Sequence, residues 1–386
     1  MTKLAFHTHV FLQEKTKKMQ NYVSLSIRIH AMNLDLRHRL ALDINNALLK
    51  DTRRRHPLEQ LFWECTLRCN LACRHCGSDC KVEAQVPDMP LADFLPVLDD
   101  VNAHCERHSV FIIVTGGEPL MRPDLETCGR AFYEKGFAWG MVTNGFALSE
   151  ERFTALLASG MGSATVSLDG LQDSHDWMRG REHSFERASR AIRILAGCKD
   201  FVFDVVTCVN RRNYDELPRI KEALIGWGVR SWRLFTVVPM GRATLDPELQ
   251  LPPDRFRGLL DFIKATRKEG RIDASYGCEG FLGNYEGEVR DHFYACEAGI
   301  TAASILADGS ISACASIRSD YHQGNIYRGD TLMDVWEKGF QPYRDREWMR
   351  TGECAGCKYF KYCLGGGMHL RDAAGNLLFC HLKRIA

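Results

Sequence analysis

Short runs of apolar and β-branched residues at 61–64, 110–115, 137–143, 163–168, 201–209 and 231–238 alternate with stretches of helical periodicity. Strands separated by helix-length segments cannot close as hairpins; they need right-handed crossovers and build a parallel sheet. Six such repeats predict an α/β chain whose sheet curls into a partial (β/α)6 barrel of the TIM type. Barrels of this kind place chemistry where strands end and helices begin, so the residues just after each run are the candidates for a site.

Segments of different texture flank this core. Residues 1–55 read as a helical N-terminal extension, with 11 Lys/Arg against 5 Asp/Glu over the first sixty positions. The barrel core is assigned to 56–245 and a helical linker to 246–274. The remainder, 275–386, carries seven Cys and many Gly without a long regular element, which predicts a small domain organised around bound metal. With 50 basic and 49 acidic residues, the chain is not a nucleic-acid binder held by bulk charge. A hydrophobic share of 45% with 26% charged residues suits a folded globular protein. The absence of a long apolar run or a secretory leader pattern predicts a cytoplasmic protein with no membrane span. In a reducing compartment, 16 Cys point to metal binding or catalysis and away from disulfides.

Directly after the first strand stands Cys69-Asn-Leu-Ala-Cys73-Arg-His-Cys76. Three thiolates on one short loop can hold three irons of a [4Fe–4S] cube and leave the fourth open to a small molecule. Cys65, Cys69, Cys73, Cys76 and Cys80 also fall at helical spacing, as a buried helix stripe would. The polar Arg68, Asn70, Arg74 and His75 between them disfavour that stripe. A zinc site normally needs four ligands in two pairs, so the cluster is preferred. Cys105, Cys128, Cys198 and Cys208 read as ordinary buried residues.

The triplet resembles the hallmark of the radical S-adenosylmethionine (radical SAM) superfamily, and the order of later motifs agrees. Gly116-Gly117-Glu118-Pro119 resembles the family's GGEP motif, whose backbone lies along the methionine amino group; glycine allows such a close approach. The resemblance implies that Ser167 and Arg179 hold the methionine carboxylate, with Asp169 in the same Ser167-Leu168-Asp169-Gly170 motif, and that Asn144 meets the nucleoside. Val238 and Met240 would wrap the adenine, and His75 stands where many relatives have an aromatic Tyr or Phe. In the C-terminal segment, Cys296, Gly309, Cys314, Cys354, Cys357, Cys363 and Cys380 resemble the SPASM domain, which binds two auxiliary iron–sulfur clusters. Cys354, Cys357, Cys363 and Cys380 would complete one cluster; Cys278, Cys296 and Cys314 would hold the other, with Gly367 where the pattern supplies a further Cys. Spacing alone would also fit a pair of zinc knuckles; the core motifs upstream favour iron.

The resemblance implies an enzyme that cleaves S-adenosylmethionine reductively and takes a hydrogen atom from its substrate. It further implies a low-potential donor of flavodoxin or ferredoxin type. Auxiliary clusters favour net oxidation, hence maturation of a ribosomally made precursor peptide by a C–C or C–S bond. Maturation of a sulfatase Cys or Ser is the competing activity, disfavoured because Ala315 stands where those enzymes carry an Asp after the Cys. A non-catalytic electron-transfer protein is the alternative of another class, disfavoured by the intact core motifs.

Overall fold

A computed structural model of the protein describes residues 34–277, 280–317 and 321–385. Each of the six apolar runs forms a strand: β1 (Gln60–Thr66), β2 (Phe111–Gly116), β3 (Ala138–Thr143), β4 (Met161–Ser167), β5 (Val202–Val209) and β6 (Ser231–Thr236). A seventh parallel strand, β7 (Asp273–Tyr276), extends the row beyond β6. The helices are α1 (Leu36–Arg55), α2 (Leu91–His104), α3 (Leu125–Glu134), α4 (Glu150–Ala158), α5 (Gln172–Arg179), α6 (Ser184–Ala196), α7 (Leu217–Gly226) and α8 (Pro253–Glu269). Strand order follows chain order from β1 to β7, as consecutive right-handed crossovers require.

Along most strands buried side chains alternate with half-buried ones. The fully buried set includes Trp63, Trp139 and Trp232. Trp63 stacks on Phe94 of α2 at 4.6 Å between ring centres and meets Phe132 of α3 edge-on at 5.5 Å. This face is the core between sheet and helices, whereas the alternate residues on the other face are mostly half-buried. On that second face Thr165, Asp204 and Arg233 form a polar ladder across β4, β5 and β6.

The C-terminal segment belongs to the same sheet. Strand β8 (Ala302–Ile305) pairs in parallel with β1, Gln60 opposite Ala302, and β9 (Ser310–Ser312) and β10 (Gly324–Asn325) continue outward antiparallel. A single sheet of ten strands therefore joins the barrel to the cysteine-rich segment. The sequence boundary at 274/275 falls inside β7, because a four-residue strand among Gly and polar residues gives too little periodicity to be read. Beyond the sheet lie α9 (Leu332–Lys338), α10 (Gln341–Arg344), α11 (Phe360–Cys363) and α12 (His381–Ile385).

Helix α1 does not stand apart. Leu34 and Leu42 are buried in a cluster with Phe281, Tyr294, Tyr359, Tyr362 and Leu382, and Asp43 accepts from both Lys361 Nζ, at 2.6 Å, and the Tyr362 hydroxyl, at 2.9 Å. Helix α1 is thus packed on α11. Among the described residues no helix is long and apolar enough to cross a membrane. Leu42→Ala should cost about 2–3 kcal/mol of local stability. Hydrogen exchange should then quicken across residues 36–55 while strands β1 to β6 keep their protection.

Candidate active site and cysteine clusters

The loop after β1 is built by close backbone approach. Gly117 N–H donates to Thr66 O at 2.8 Å and Glu118 N–H to Arg68 O at 2.9 Å, so the turn after β2 extends β1 into the thiol loop. Gly116 has φ +136°, and a Cβ on Gly117 would penetrate the Arg68 carbonyl. On its other side, Ala72 N–H and Arg74 N–H donate to Arg179 O and Met178 O at the end of α5. Past β6, Gly241 sits against the backbone of Cys76 and Gly77, and Arg242 N–H donates to Cys76 O. The ends of β2, helix α5 and β6 therefore clamp the loop, and its Cys stripe is not helical.

Cys69 and Cys73 are buried, Cys76 half-buried, and all three pack in one cluster with Leu71, Cys80 and Phe146. Burial pushes the Cys69 thiol up to about 12 and raises Cys73. Cys76 is lowered, chiefly by the Cys80 thiol beside it, and Cys80 is raised in return. Buried, protonated thiols gathered on one loop suit a metal centre, whose binding displaces their protons.

The residues placed around the loop by sequence fall into two groups. Glu118 is fully buried and its carboxylate accepts from Thr143 Oγ1, Asn144 N–H and Leu120 N–H, tying β2 to β3. Its side chain is structural, its pKa raised by burial, and Pro119 opens the short turn that follows. Asn144 donates to Asn70 Oδ1 at 2.8 Å and lies 3.8 Å from Cys69 Sγ. The second group surrounds a polar cage. Asp169, fully buried, pairs with Arg179 at 2.7 Å and accepts from Cys208 N–H at 2.8 Å. Its carboxyl is lowered, against burial, by the Arg179 charge. Arg179 Nη1 stands 3.7 Å from Cys73 Sγ. His75 Nε2 lies 3.8 Å from Asp169, and burial takes this imidazole down to about 4, so it is neutral near pH 7. Ser167 ends β4 half-buried, and Val238 and Met240 lie half-buried between β6 and Gly241.

Arg179 Nε and His75 Nδ1 are buried without a protein partner. Buried donors are seldom left unmade, so the cage fits a polar ligand seated beside the thiols. Sequence reasoning passed over Cys208 and His175. Cys208 lies within 4.8 Å of His75 and Asp169, ligand atom to ligand atom, and His175 Nδ1 accepts from Asp169 N–H. The available signal for Cys208 was its place at the C-terminal end of β5.

The C-terminal cysteines separate into two places. Cys354, Cys357, Cys363 and Cys380 line one cavity of about 270 Å³, walled by Phe281 and Phe360. Burial raises Cys363 to about 12, and its three neighbours reinforce the shift. Four thiols around one cavity match a cube with a full set of ligands. Arg371, fully buried, brings Nη2 to 3.5 Å from Cys354 Sγ. Cys296 and Cys314 lie elsewhere, both near Tyr343. Arg346, almost fully buried, donates to Tyr343 O, Gly366 O and Cys296 O, and its charge lowers the Cys296 thiol. Gly367 precedes the turn Met368–Leu370. Cys278 lies outside the described residues.

The profile of the radical SAM superfamily matches residues 63–224, and that of the SPASM iron-sulfur cluster-binding domain matches residues 296–358. The AdoMet-dependent heme synthase of Methanosarcina barkeri is 28% identical over 336 residues, which take in 82% of this chain and 93% of that protein. The mycofactocin maturase of Mycolicibacterium smegmatis is 29% identical over 328 residues, 82% of this chain and 79% of that one. Of solved structures, Streptococcus suis SuiB bound to S-adenosylmethionine has a TM-score of 0.65 at 17% identity, over 80% of this chain and 73% of that one. Native anSMEcpe with bound AdoMet and Cp18Cys peptide has a TM-score of 0.66 at 18% identity, over 85% and 94%. Such identities speak for the fold alone.

Two outcomes follow from the clamp and the cage. Gly117→Ala should displace the Arg68 backbone, and anaerobic iron loading at the barrel loop should fall severalfold while the C-terminal cavity still fills; selective spectroscopy of the two centres reads this. Asp169→Asn leaves the Arg179 charge buried and unpaired, which should cost about 3–5 kcal/mol in urea unfolding, and pairing it with Arg179→Met should recover most of that loss.

Proposed function

Because the chain is a radical S-adenosylmethionine enzyme that carries a SPASM iron–sulfur domain, we propose that it oxidises a ribosomally made peptide, forming a C–C or C–S crosslink. The observation that carries the oxidative reading is the four-thiol cavity of Cys354, Cys357, Cys363 and Cys380, built away from the barrel loop. A redox-neutral reaction would have no use for a second buried redox centre. When bound by Cys69, Cys73 and Cys76, a reduced cluster supplies the electron that cleaves S-adenosylmethionine to methionine and a 5′-deoxyadenosyl radical.

The chain's own groups position that chemistry. Arg179, held by Asp169, would offer its unpaired Nε to the methionine carboxylate, with Ser167 as a second donor. The Gly116–Glu118 backbone would bind the amino group. Asn144 would meet the nucleoside, and neutral His75 with Val238 and Met240 would hold the adenine. The clamped loop would keep bulk water from a reactive intermediate. Cys296 and Cys314, with Cys278 as the third ligand that the sequence offers, would hold a second auxiliary cluster, short of one thiolate at Gly367. A reducing cytoplasm suits so many thiols.

A second reading is favoured by one finding. The heme synthase named above is matched over 93% of its length, and the same oxidative arrangement would serve a tetrapyrrole side chain.

Anaerobic reconstitution should give about twelve irons per chain, three cubes' worth; about four would remove the auxiliary clusters. Replacing Cys69, Cys73 and Cys76 with Ala should abolish 5′-deoxyadenosine. Cys354→Ala with Cys357→Ala should leave 5′-deoxyadenosine but stop product. Mass spectrometry of a candidate precursor peptide and of an iron tetrapyrrole, incubated in parallel, decides between the two substrates: loss of two hydrogens from the peptide alone supports the first reading.

A further inference from the structure

Helix α1 carries two apolar faces, and one of them is uncovered. Leu42 packs into the C-terminal cluster, whereas Leu36, Leu40, Ile44 and Leu48 are 70, 57, 65 and 64% exposed. Spaced every four residues, these four form one row about 18 Å long. At about 100° of turn per residue the row sweeps about 120° of the helix, centred opposite Leu42. The exposed Ala47 falls within the same arc. Exposed apolar side chains scattered singly are ordinary, but a contiguous patch marks an interaction surface. Here four of the ten large ones among the described residues stand on a single helix face.

Basic charge flanks the row. Helix α1 holds Arg37, Arg39, Lys50, Arg53, Arg54 and Arg55 against Asp43 and Asp51, with Asp35 at its N-cap. Each carboxylate is already engaged: Asp35 by His38 at 2.9 Å, Asp43 by Lys361 and Tyr362, and Asp51 by Arg54 and Arg55 at 2.7 and 2.8 Å. Among the described residues Arg37 and Lys50 meet no carboxylate within 4.0 Å. The facing elements do not reverse the balance, since α11 adds Lys361 while Glu337 meets His56 just past the helix end. Seven Lys and Arg thus stand against four Asp and Glu. The imbalance belongs to this end of the chain. The first 55 residues hold 11 of the 50 Lys/Arg but four of the 49 Asp/Glu, which leaves an acidic excess in the rest.

We propose that this face of α1 is a docking surface for an anionic phospholipid bilayer, on which the helix lies flat with its leucines among the upper acyl chains. Side chains lining a peptide groove would be shielded by its walls; these stand out as a ridge, and a ridge enters a fluid interface without needing a matching shape. The row is wholly aliphatic, which suits hydrocarbon and offers nothing to stack on a base or to hydrogen-bond a polar partner. Lys and Arg beside such a row meet lipid phosphates. A second copy of the chain would bring the same positive surplus to the contact, so charge works against self-association. The inward face, fixed beside Tyr359 and Tyr362, sets the orientation: the row points away from the rest of the protein, which stays in water.

The test uses the full chain, anaerobically reconstituted, with vesicles of phosphatidylcholine alone and of phosphatidylcholine and phosphatidylglycerol in equal parts. Flotation should carry the protein with the anionic vesicles and leave it behind with the neutral ones. Leu40→Gln/Ile44→Gln places good helix formers at two exposed positions. It should lower the partition coefficient at least about tenfold with melting temperature and iron content unchanged. Arg37→Gln/Lys50→Gln should lower it about tenfold at about 0.01 M salt and far less at about 0.15 M, where the Debye length has shrunk from about 30 to 8 Å. Amide exchange at 36–50 should slow when anionic vesicles are added. No flotation, equal flotation with both vesicles, or undiminished flotation of Leu40→Gln/Ile44→Gln would each overturn the membrane surface. A lipid-indifferent dimer in sedimentation, broken by that variant, would assign the row to a second copy instead. A lipid-indifferent monomer in which the variant speeds exchange at 36–50 would assign it to residues 1–33, and either result overturns the bilayer.

Discussion

Everything at the reactive end of the barrel hangs on two backbone hydrogen bonds, from Gly117 N–H to Thr66 O and from Glu118 N–H to Arg68 O. They continue the β1–β2 pairing past the regular strands and into a loop that would otherwise be free to move. Neither bond can form at these separations if position 117 has a Cβ. Glycine there loses conformational freedom on folding but yields a loop held from the strand side, with α5 and the Gly241 turn closing the others. The buried Glu118 carboxylate then transmits the same constraint to β3. A cluster seated on three thiols needs its ligands held to a fraction of an ångström, and this backbone arrangement supplies that without relying on side-chain packing alone.

Beside the loop, electrostatics are arranged so that one ion pair organises several neutral groups. Asp169 and Arg179 are both buried, and a buried pair is stable only when its remaining lone pairs and protons are met. Cys208 N–H meets one carboxylate oxygen, while Arg179 Nε is left for a ligand. The imidazoles of His75 and His175 stay neutral through burial, His75 near 4 and His175 near 3. The cage therefore carries little net charge, as befits a seat for a ligand that brings its own carboxylate, amine and sulfonium.

Much of this was legible in the sequence, for identifiable reasons. Strands at 61–64 and 231–238 were readable because β-branched runs stand between helical periods, and the thiol triplet because its spacing and polar interior exclude a helix stripe. The parts that escaped depend on distant partners. Strand β8 is four residues of ordinary alanine, serine and isoleucine, and only its pairing with Gln60–Trp63 makes it a strand. The sequence assigned a role to the backbone at Glu118 and none to its carboxylate, whose partners Thr143 and Asn144 lie 25 and 26 residues on. Arg346 beside Cys296 joins segments fifty residues apart, and Cys208 was indistinguishable from a buried strand residue until Asp169 was placed next to it.

The pairing of β8 with β1 also bears on how the molecule is made. Strand β1 is completed at Thr66, but its free edge finds its partner only at Ala302–Ile305. During synthesis that edge, directly beneath the thiol loop, stays open while more than half of the chain is still to come, and open edges invite wrong pairing. Closing a contact of such sequence separation is also slow. Strand β8 thus seals the first strand while five of the seven Cys of the 275–386 segment are still to be made, so the edge of β1 can close before the four-thiol cavity of Cys354, Cys357, Cys363 and Cys380 exists.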